Sequence, residues 1–268
     1  MDYIDIFNLP LYYISFKKDN KLENHLKDNG FNNINHFEAV DGRKLNAIDL
    51  LNDNIISIRV YNDLVYGMEQ KIGISSLGAI GCTLSHRKLW KLCIDNNLPY
   101  MIIAEDDIEF TKPISEKDIN NINKVFNKVN SCFISPQLSM PFYTKNYKKV
   151  DKSSRYLYGT HFYIVSNSCA RQFYNHSLPI DIATDNYIQN LNSRDIVNVE
   201  GYTIATQKKN GSLTQNYNCI KCILPKSPWF YVGLILFIIF LIVIYIITRK
   251  KLSKTRYELE SIRSSLRY

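Results

Sequence analysis

The chain has 268 residues, 46% of them apolar and 22% charged, with a formal net charge of +8. That apolar share is enough to fill a core and excludes disorder along the whole length. The basic excess is localised: residues 248–268 hold seven Lys and Arg against two Glu, a net +5, which leaves +3 for the other 247 residues, so no basic stripe supports a DNA or RNA partner.

In chain order, Asp2 and Asp5 precede the short apolar stretch Leu9 to Phe16. With no basic segment and no long apolar one, this start is unlike a cleaved secretory signal. The stretch itself (LPLYYISF) is aromatic and β-prone and predicts a first strand. The polar segment Lys17 to Asn29, stopped by Gly30, predicts a helix, and Asn35 to Val40 a second strand closed by the turn dipeptide Asp41-Gly42. From Leu84 to Ile94 the apolar residues Leu89, Trp90, Cys93 and Ile94 fall on one helical face. Pro99 then opens the apolar strand Tyr100 to Ala104, which runs straight into Glu105, Asp106 and Asp107. Lys117 to Lys152 is rich in Asn, Lys and Ser with little periodicity and predicts loops, including an active-site flap. A strand-like run around Gly159 (Arg155 to Val165) and a short helix (Ser168 to Tyr174) follow. This alternation predicts an α/β sheet with helices on its faces.

The longest uncharged apolar run, Trp229 to Ile247, has 19 residues. At about 1.5 Å per residue a helix of that length spans roughly 28 Å, close to the hydrocarbon core of a bilayer. It has no polar face, which predicts a transmembrane helix rather than a core helix, with residues 216–228 as a juxtamembrane linker and 248–268 as a basic tail beside anionic head groups. A membrane segment at the far end implies a tail anchor with the domain in the cytosol, whereas the positive-inside rule puts the basic tail in the cytosol. The side of the membrane is therefore left open. The sequons at Asn175 and Asn210 are usable only in a lumen. Cys219 and Cys222 form a lone CxxC, and the six cysteines give no disulfide framework.

Two features carry chemistry. Ligands of open α/β sheets sit at the carboxyl ends of the strands, which is where the acidic cluster falls. Alternation along an extended chain puts Glu105 and Asp107 on one side, and paired carboxylates suit a hard divalent ion such as Mn²⁺ or Mg²⁺ that also takes phosphate oxygens. A solvated acidic loop is the alternative. The second feature is GAIGCTLSH, Gly78 to His86, followed by Trp90. Gly78 and Gly81 permit close backbone approach, Ser85 is placed to cap the next helix, and a helix N-terminus favours phosphate. By itself His86 reads as a core or capping histidine.

These strings resemble the signature of glycosyltransferase family 25. GAIGCTLSH with Trp90, then a strand, then AEDD (Ala104 to Asp107) lie between FEAVDG (Phe37 to Gly42) and YGTHFYIV (Tyr158 to Val165), with Pro179-Ile180-Asp181 further on. The resemblance covers residues 9 to 215 and implies a transferase domain over 1–215 of the GT-A type, a nucleotide-sugar-binding sheet with helices on both faces. It implies a UDP-sugar donor, a hexose such as galactose, inversion at the anomeric carbon, and a glycan, lipid-linked glycan or glycoprotein acceptor. It further implies that Asp107 and Asp106 hold the metal, that Glu105 or Asp106 meets metal or ribose, that His161 meets metal or diphosphate, and that Asp181, with Asp185 in reserve, is the base. Two departures stand out. The turn after the first strand lacks the family's arginines, the first arginine being Arg43, and Ala79 replaces a usual Glu. A membrane-tethered scaffold on a degenerate transferase fold is the competing reading.

Overall fold

A computed structural model describes residues 3–66, 74, 76–110, 112–136, 149, 150, 152, 153, 157, 159–208, 235–250 and 252. The chain divides into two units, Met1–Asn216 and Tyr217–Tyr268.

In the first unit the order is β1 (Leu11–Ser15), α1 (Asn20–Asp28), β2 (Ile34–Glu38), α2 (Ala47–Asn52), α3 (Ile58–Tyr66), α4 (Leu77–Asp95), β3 (Tyr100–Glu105), β4 (Ile108–Glu109) and α5 (Glu116–Val125). It continues with β5 (Ser131–Ile134), β6 (Lys149–Val150), β7 (Phe162–Ser166), α6 (Asn167–His176), α7 (Thr184–Ser193), β8 (Asn198–Tyr202) and β9 (Thr206–Gln207). Seven strands form one sheet in the order β2-β1-β3-β7-β5-β8-β6, and β4 pairs with β9 in a second, two-stranded sheet. β1 runs parallel to β2 and β3, whereas β7 is antiparallel to both β3 and β5. The start of β7 therefore meets the carboxyl end of β3, with Ala104 opposite Phe162.

Side chains alternate across the sheet with period two. Leu11, Tyr13, Ile102, Ala104, Phe133, Phe162 and Ile164 face a core that also takes Leu22 and Leu26 of α1 and Ile122 and Val125 of α5. Ile14, Met101, Ile103, Cys132, Tyr163 and Val165 face the other core, with Trp90 of α4, Phe173 of α6 and Ile188 of α7. The sheet is thus mixed α/β with helices on both faces. A third cluster joins Leu50 of α2, Val60 of α3, Ile80 of α4 and Ile180.

The structure revises three readings of the sequence. Lys117 to Lys152 is not all loop: α5 starts at a capping box in which Ser115 and Asp118 satisfy each other's backbone N–H groups, and β5 is fully buried. The helix containing Trp90 begins at Leu77, capped by Ser76, whose hydroxyl accepts from the Ala79 N–H. Ser85 therefore lies inside α4 and caps nothing. Its hydroxyl donates to the Gly81 carbonyl and accepts from the Val40 N–H. The strand read around Gly159 starts only at Phe162.

In the second unit residues 235–250 form a helix, α8, with exposed apolar side chains. Residues 229–234 of the apolar run lie outside the described residues, as do Cys219 and Cys222. Among the described residues no helix is long and apolar enough to cross a membrane.

Candidate active site

A cavity of about 640 Å³ opens at the carboxyl ends of β1 and β3. Its walls come from the turn after β1 (Phe16, Asp19), the loop after β2 (Val40 to Arg43), the first turns of α4 (Leu77, Gly78, Cys82, Ser85, His86) and the acidic turn Glu105 to Asp107 with Gln207 of β9. Residues far apart in sequence converge here because parallel strands deliver their following loops to one end of the sheet.

The loop after β2 can lie against α4 only because both partners lack a side chain at the crossing. A Cβ on Gly42 would sit 2.2 Å from the Leu77 carbonyl oxygen, and one on Gly81 would sit 2.5 Å from that of Val40. Gly81 thus serves backbone packing and is not among the cavity-lining residues, whereas Gly78 is. Arg43, from this loop, forms a two-point ion pair with Asp41 at 2.8 and 2.9 Å and lies 5.3 Å from the Phe16 ring centroid. Arg43 thus lines the same cavity as Phe16 and Asp19 of the turn after β1, which has no arginine of its own.

Glu105 ends β3. Its Oε1 accepts from Thr160 Oγ1 at 2.6 Å and lies 3.2 Å from His86 Nε2. Burial alone would raise its pKa, but the bonds from His86 and Thr160 outweigh it and the carboxyl sits below its ordinary value. Asp106 is exposed at the rim, its carboxyl raised by desolvation and by the charge of Glu105. Asp107 is different. Its Oδ2 accepts from Gln207 Nε2 at 2.6 Å, while its Oδ1 is buried with no hydrogen-bond partner among the described residues. Burial, then the negative charge of Glu105, pushes this carboxyl up to about 7. A buried carboxylate oxygen without a donor is costly as an anion, and a cation at that position removes the cost.

The donor set fits a hard ion. Cys82 Sγ, a His86 nitrogen and a Glu105 oxygen also lie within 4.8 Å of one another, the spacing of a softer site. However, burial holds the Cys82 thiol well above its ordinary pKa and therefore protonated, and both His86 nitrogens are engaged, by Tyr163 and by Glu105. Oxygens of the acidic turn remain, and they are the ligands Mn²⁺ or Mg²⁺ prefers.

The other residues singled out by sequence separate. His161 is fully buried and does not line the cavity. Its Nε2 lies 3.1 Å from the Ala205 carbonyl, Nδ1 has no partner among the described residues, and burial lowers its pKa. Asp181 is drawn elsewhere. A bridge pairs Ile56 with Ile180, which places Asp181 against Arg59 at 2.7 Å and the Ser57 hydroxyl at 2.5 Å. These bonds, Arg59 first, hold its carboxyl below the ordinary value, and it is not among the cavity-lining residues. Nor does it cap α7, which begins at Thr184 after Ala183. Asp185, in the first turn of α7, is not among the cavity-lining residues either, but it feels the charge of Glu105, and α7 docks on α4 through a 2.8 Å bond between Thr83 and Thr184. The Asp185 carboxylate accepts from the N–H groups of Gly159 and Asn186, yet burial, with Glu105 adding to it, keeps its pKa raised.

Thr160, Tyr163 and Gln207 carry no individual signal in the sequence. Thr160 and Tyr163 lie within the quoted string Tyr158 to Val165. Gln207 is one polar residue 100 positions from Asp107, without a local signal.

The profile of Glycosyltransferase family 25 (LPS biosynthesis protein) matches residues 8–188. A glycosyltransferase 25 family member of Drosophila pseudoobscura pseudoobscura is 34% identical over 90 residues, which make up 34% of this chain and 13% of that protein. Procollagen galactosyltransferase 2 of Homo sapiens is 38% identical over 80 residues, 30% of this chain and 12% of the relative. A putative glycosyltransferase of Acanthamoeba polyphaga mimivirus is 29% identical over 122 residues, 44% of this chain and 34% of its own length. The matched stretch thus spans between 12% and 34% of these relatives. Among solved structures, apo mouse xyloside xylosyltransferase 1 covers 71% of this chain and 63% of its own at 11% identity and a TM-score of 0.32, a likeness too slight to bear on the fold.

Proposed function

The chain belongs to glycosyltransferase family 25, and from that premise we propose that its first unit is a GT-A type transferase moving a hexose, galactose foremost, from a UDP-sugar to a hydroxyl of a glycan, lipid-linked glycan or glycoprotein. One observation carries the reading: in a cavity beside the start of α4, Asp107 keeps a buried oxygen without a donor and a carboxyl raised to about 7. The charges around it are incomplete in the way a site for a divalent ion and a diphosphate would be.

In this proposal Asp107, with Asp106 and one oxygen of Glu105, holds Mn²⁺ or Mg²⁺. Bound there, the ion supplies Lewis-acid neutralisation of the departing diphosphate. The first turn of α4 presents backbone N–H groups and the positive end of a 19-residue helix to the phosphates. Phe16 offers a ring face to the nucleobase, and Arg43 adds charge beside it. Asp185 takes the proton of the acceptor hydroxyl as its oxygen bonds to the anomeric carbon and the bond to the UDP oxygen breaks, which inverts the centre. A carboxyl raised by burial is a stronger base than an ordinary carboxylate.

UDP release from UDP-galactose and UDP-glucose by the full chain, with Mn²⁺ or with EDTA, tests the reading, since slow attack by water needs no acceptor. Absence of both release and metal-dependent UDP binding in calorimetry would favour a tethered scaffold on a transferase fold. Two variants discriminate the bases. Asp185→Asn is expected to lower sugar transfer by about 10²–10⁴-fold, the range for a lost general base, with UDP binding retained. Asp181→Asn removes a half-exposed ion pair with Arg59 while keeping an acceptor for the Ser57 hydroxyl, costs about 1 kcal/mol or less, and should leave transfer within threefold of wild type, roughly the limit of a remote effect. Equal losses in both would sink the assignment of Asp185.

We also propose that Trp229 to Ile247 anchors the chain in a bilayer. Recovery of the full chain in an alkaline-washed membrane pellet is the expected result, and release into the wash counts against it.

A further inference from the structure

We propose, building on the reading of the cavity as the sugar-donor site, that Trp90, Tyr163 and His86 are positioning residues that lock one oxygen of Glu105 and leave the other as its single ligating atom. None of the three needs to touch the donor.

The argument follows the direction of the protons. The Trp90 indole N–H can only donate, and it lies 2.9 Å from the Tyr163 hydroxyl oxygen. Tyr163 therefore accepts from Trp90, and its own proton has His86 Nδ1 at 2.9 Å. A histidine that accepts at Nδ1 carries its proton on Nε2, and Nε2 lies 3.2 Å from Glu105 Oε1. Thr160 donates to the same oxygen at 2.6 Å. Two protein donors thus converge on Oε1, while no described group donates to Oε2, and Glu105 is a wall of the cavity. Trp90, Tyr163 and His86 are all fully buried.

Packing does not account for the arrangement. A phenylalanine at 163 and apolar residues at 86 and 90 would fill the same space between Leu89, Ile103 and Val165 without a polar chain that must be satisfied end to end. What the chain does uniquely is fix the rotation of a carboxylate at the start of the acidic turn. A carboxylate free to rotate presents both oxygens to a cation or a hydroxyl pair. Glu105 presents one, in a set direction, and neighbouring Asp107 keeps its own bare oxygen for the ion. Orienting partners of this kind act on the affinity of the ligand more than on the fold.

The test uses the full chain with ¹⁵N-labelled histidine. In wild type the ring nitrogens of His86, assigned by their loss in His86→Gln, should report the Nε2–H tautomer. In Tyr163→Phe the tautomer preference should be lost, and KM for UDP-galactose should rise about tenfold, on the scale of losing an orienting partner, with kcat changed less. His86→Gln, which keeps a donor toward Glu105, should retain more donor affinity than His86→Ala at equal melting temperature. An Nδ1–H tautomer in wild type would overturn the relay alone. So would a Tyr163→Phe variant that is less stable but unchanged in KM, or equal affinity in the two His86 variants. Failure of the wild type to bind any UDP-sugar would instead overturn the functional reading, and with it the donor half of this proposal, whatever the tautomer.

Discussion

Asp107→Asn is expected to abolish metal-dependent UDP release, by about 10²–10³-fold as for the loss of one electrostatic stabiliser, and at the same time to raise the melting temperature of the ligand-free chain at pH 8. The two effects have one cause. The Asp107 carboxyl is raised from its ordinary 3.8 to about 7 in the folded protein, so folding takes up a proton there between those values. Its contribution to stability is fully present below pH 3.8 and is lost as pH rises through 7, where the buried anion faces Glu105 with no cation. Asparagine removes that penalty and can still accept from Gln207. The gain should therefore shrink at pH 5, where wild type is protonated anyway. In wild type, protons and Mn²⁺ compete for the same oxygen, so Mn²⁺ affinity should fall about tenfold per pH unit below 7. Thermal unfolding at pH 5 and pH 8, with and without Mn²⁺, checks each point. A destabilised Asp107→Asn at pH 8 would show that the carboxylate is held by protein donors after all.

A large effect on stability is expected at Gly42. Its alanine variant places a methyl group 2.2 Å from the Leu77 carbonyl oxygen, and the nearest atoms are all backbone. No side chain can rotate out of the way, so the loop after β2 must lift from α4. Overpacking of this kind costs typically 1–3 kcal/mol and here about 3, read as a lower denaturant midpoint at unchanged slope. Because Val40 to Arg43 form a wall of the cavity, KM for the donor should rise as well. Gly81→Ala strains the same crossing from the helix side, with Val40 O at 2.5 Å, and the double variant should cost less than the sum, since one displacement relieves both. A Gly42→Ala chain with the stability of wild type would show that the loop does not rest on α4 in solution.

How legible these features were depended on how far each signal reached along the chain. β1, α1, β2 and β3 stand out because apolar runs are bounded by local punctuation such as Gly30 and Pro99, and the acidic turn stands out because it directly follows a buried strand. α5 was hidden by Asn and Lys that dilute its apolar positions, although Ile122, Val125 and Phe126 are buried. Gly78 and Gly81 suggested a loop where α4 already runs, because glycine reports that the backbone is approached, not whether it is helical. The fate of Asp181 could not be read locally at all. It depends on a bridge between Ile56 and Ile180, a pairing 124 positions apart, and the ion pair formed there ties the carboxylate to Arg59. His86 conversely read as a core histidine and is one, yet the core position is what lets it reach Glu105.

The pairing of β4 with β9 bears on where the catalytic unit can be cut. The family profile stops at residue 188, but Asp107 takes its side-chain hydrogen bond from Gln207, its carbonyl accepts from the Lys208 N–H, and His161 is held by the Ala205 carbonyl. A chain ended at 188 would keep the part that resembles its relatives and strip the brace from the acidic turn. An expression boundary must therefore fall beyond 208, set by the last residue that touches the carboxylates and not by the last residue that aligns.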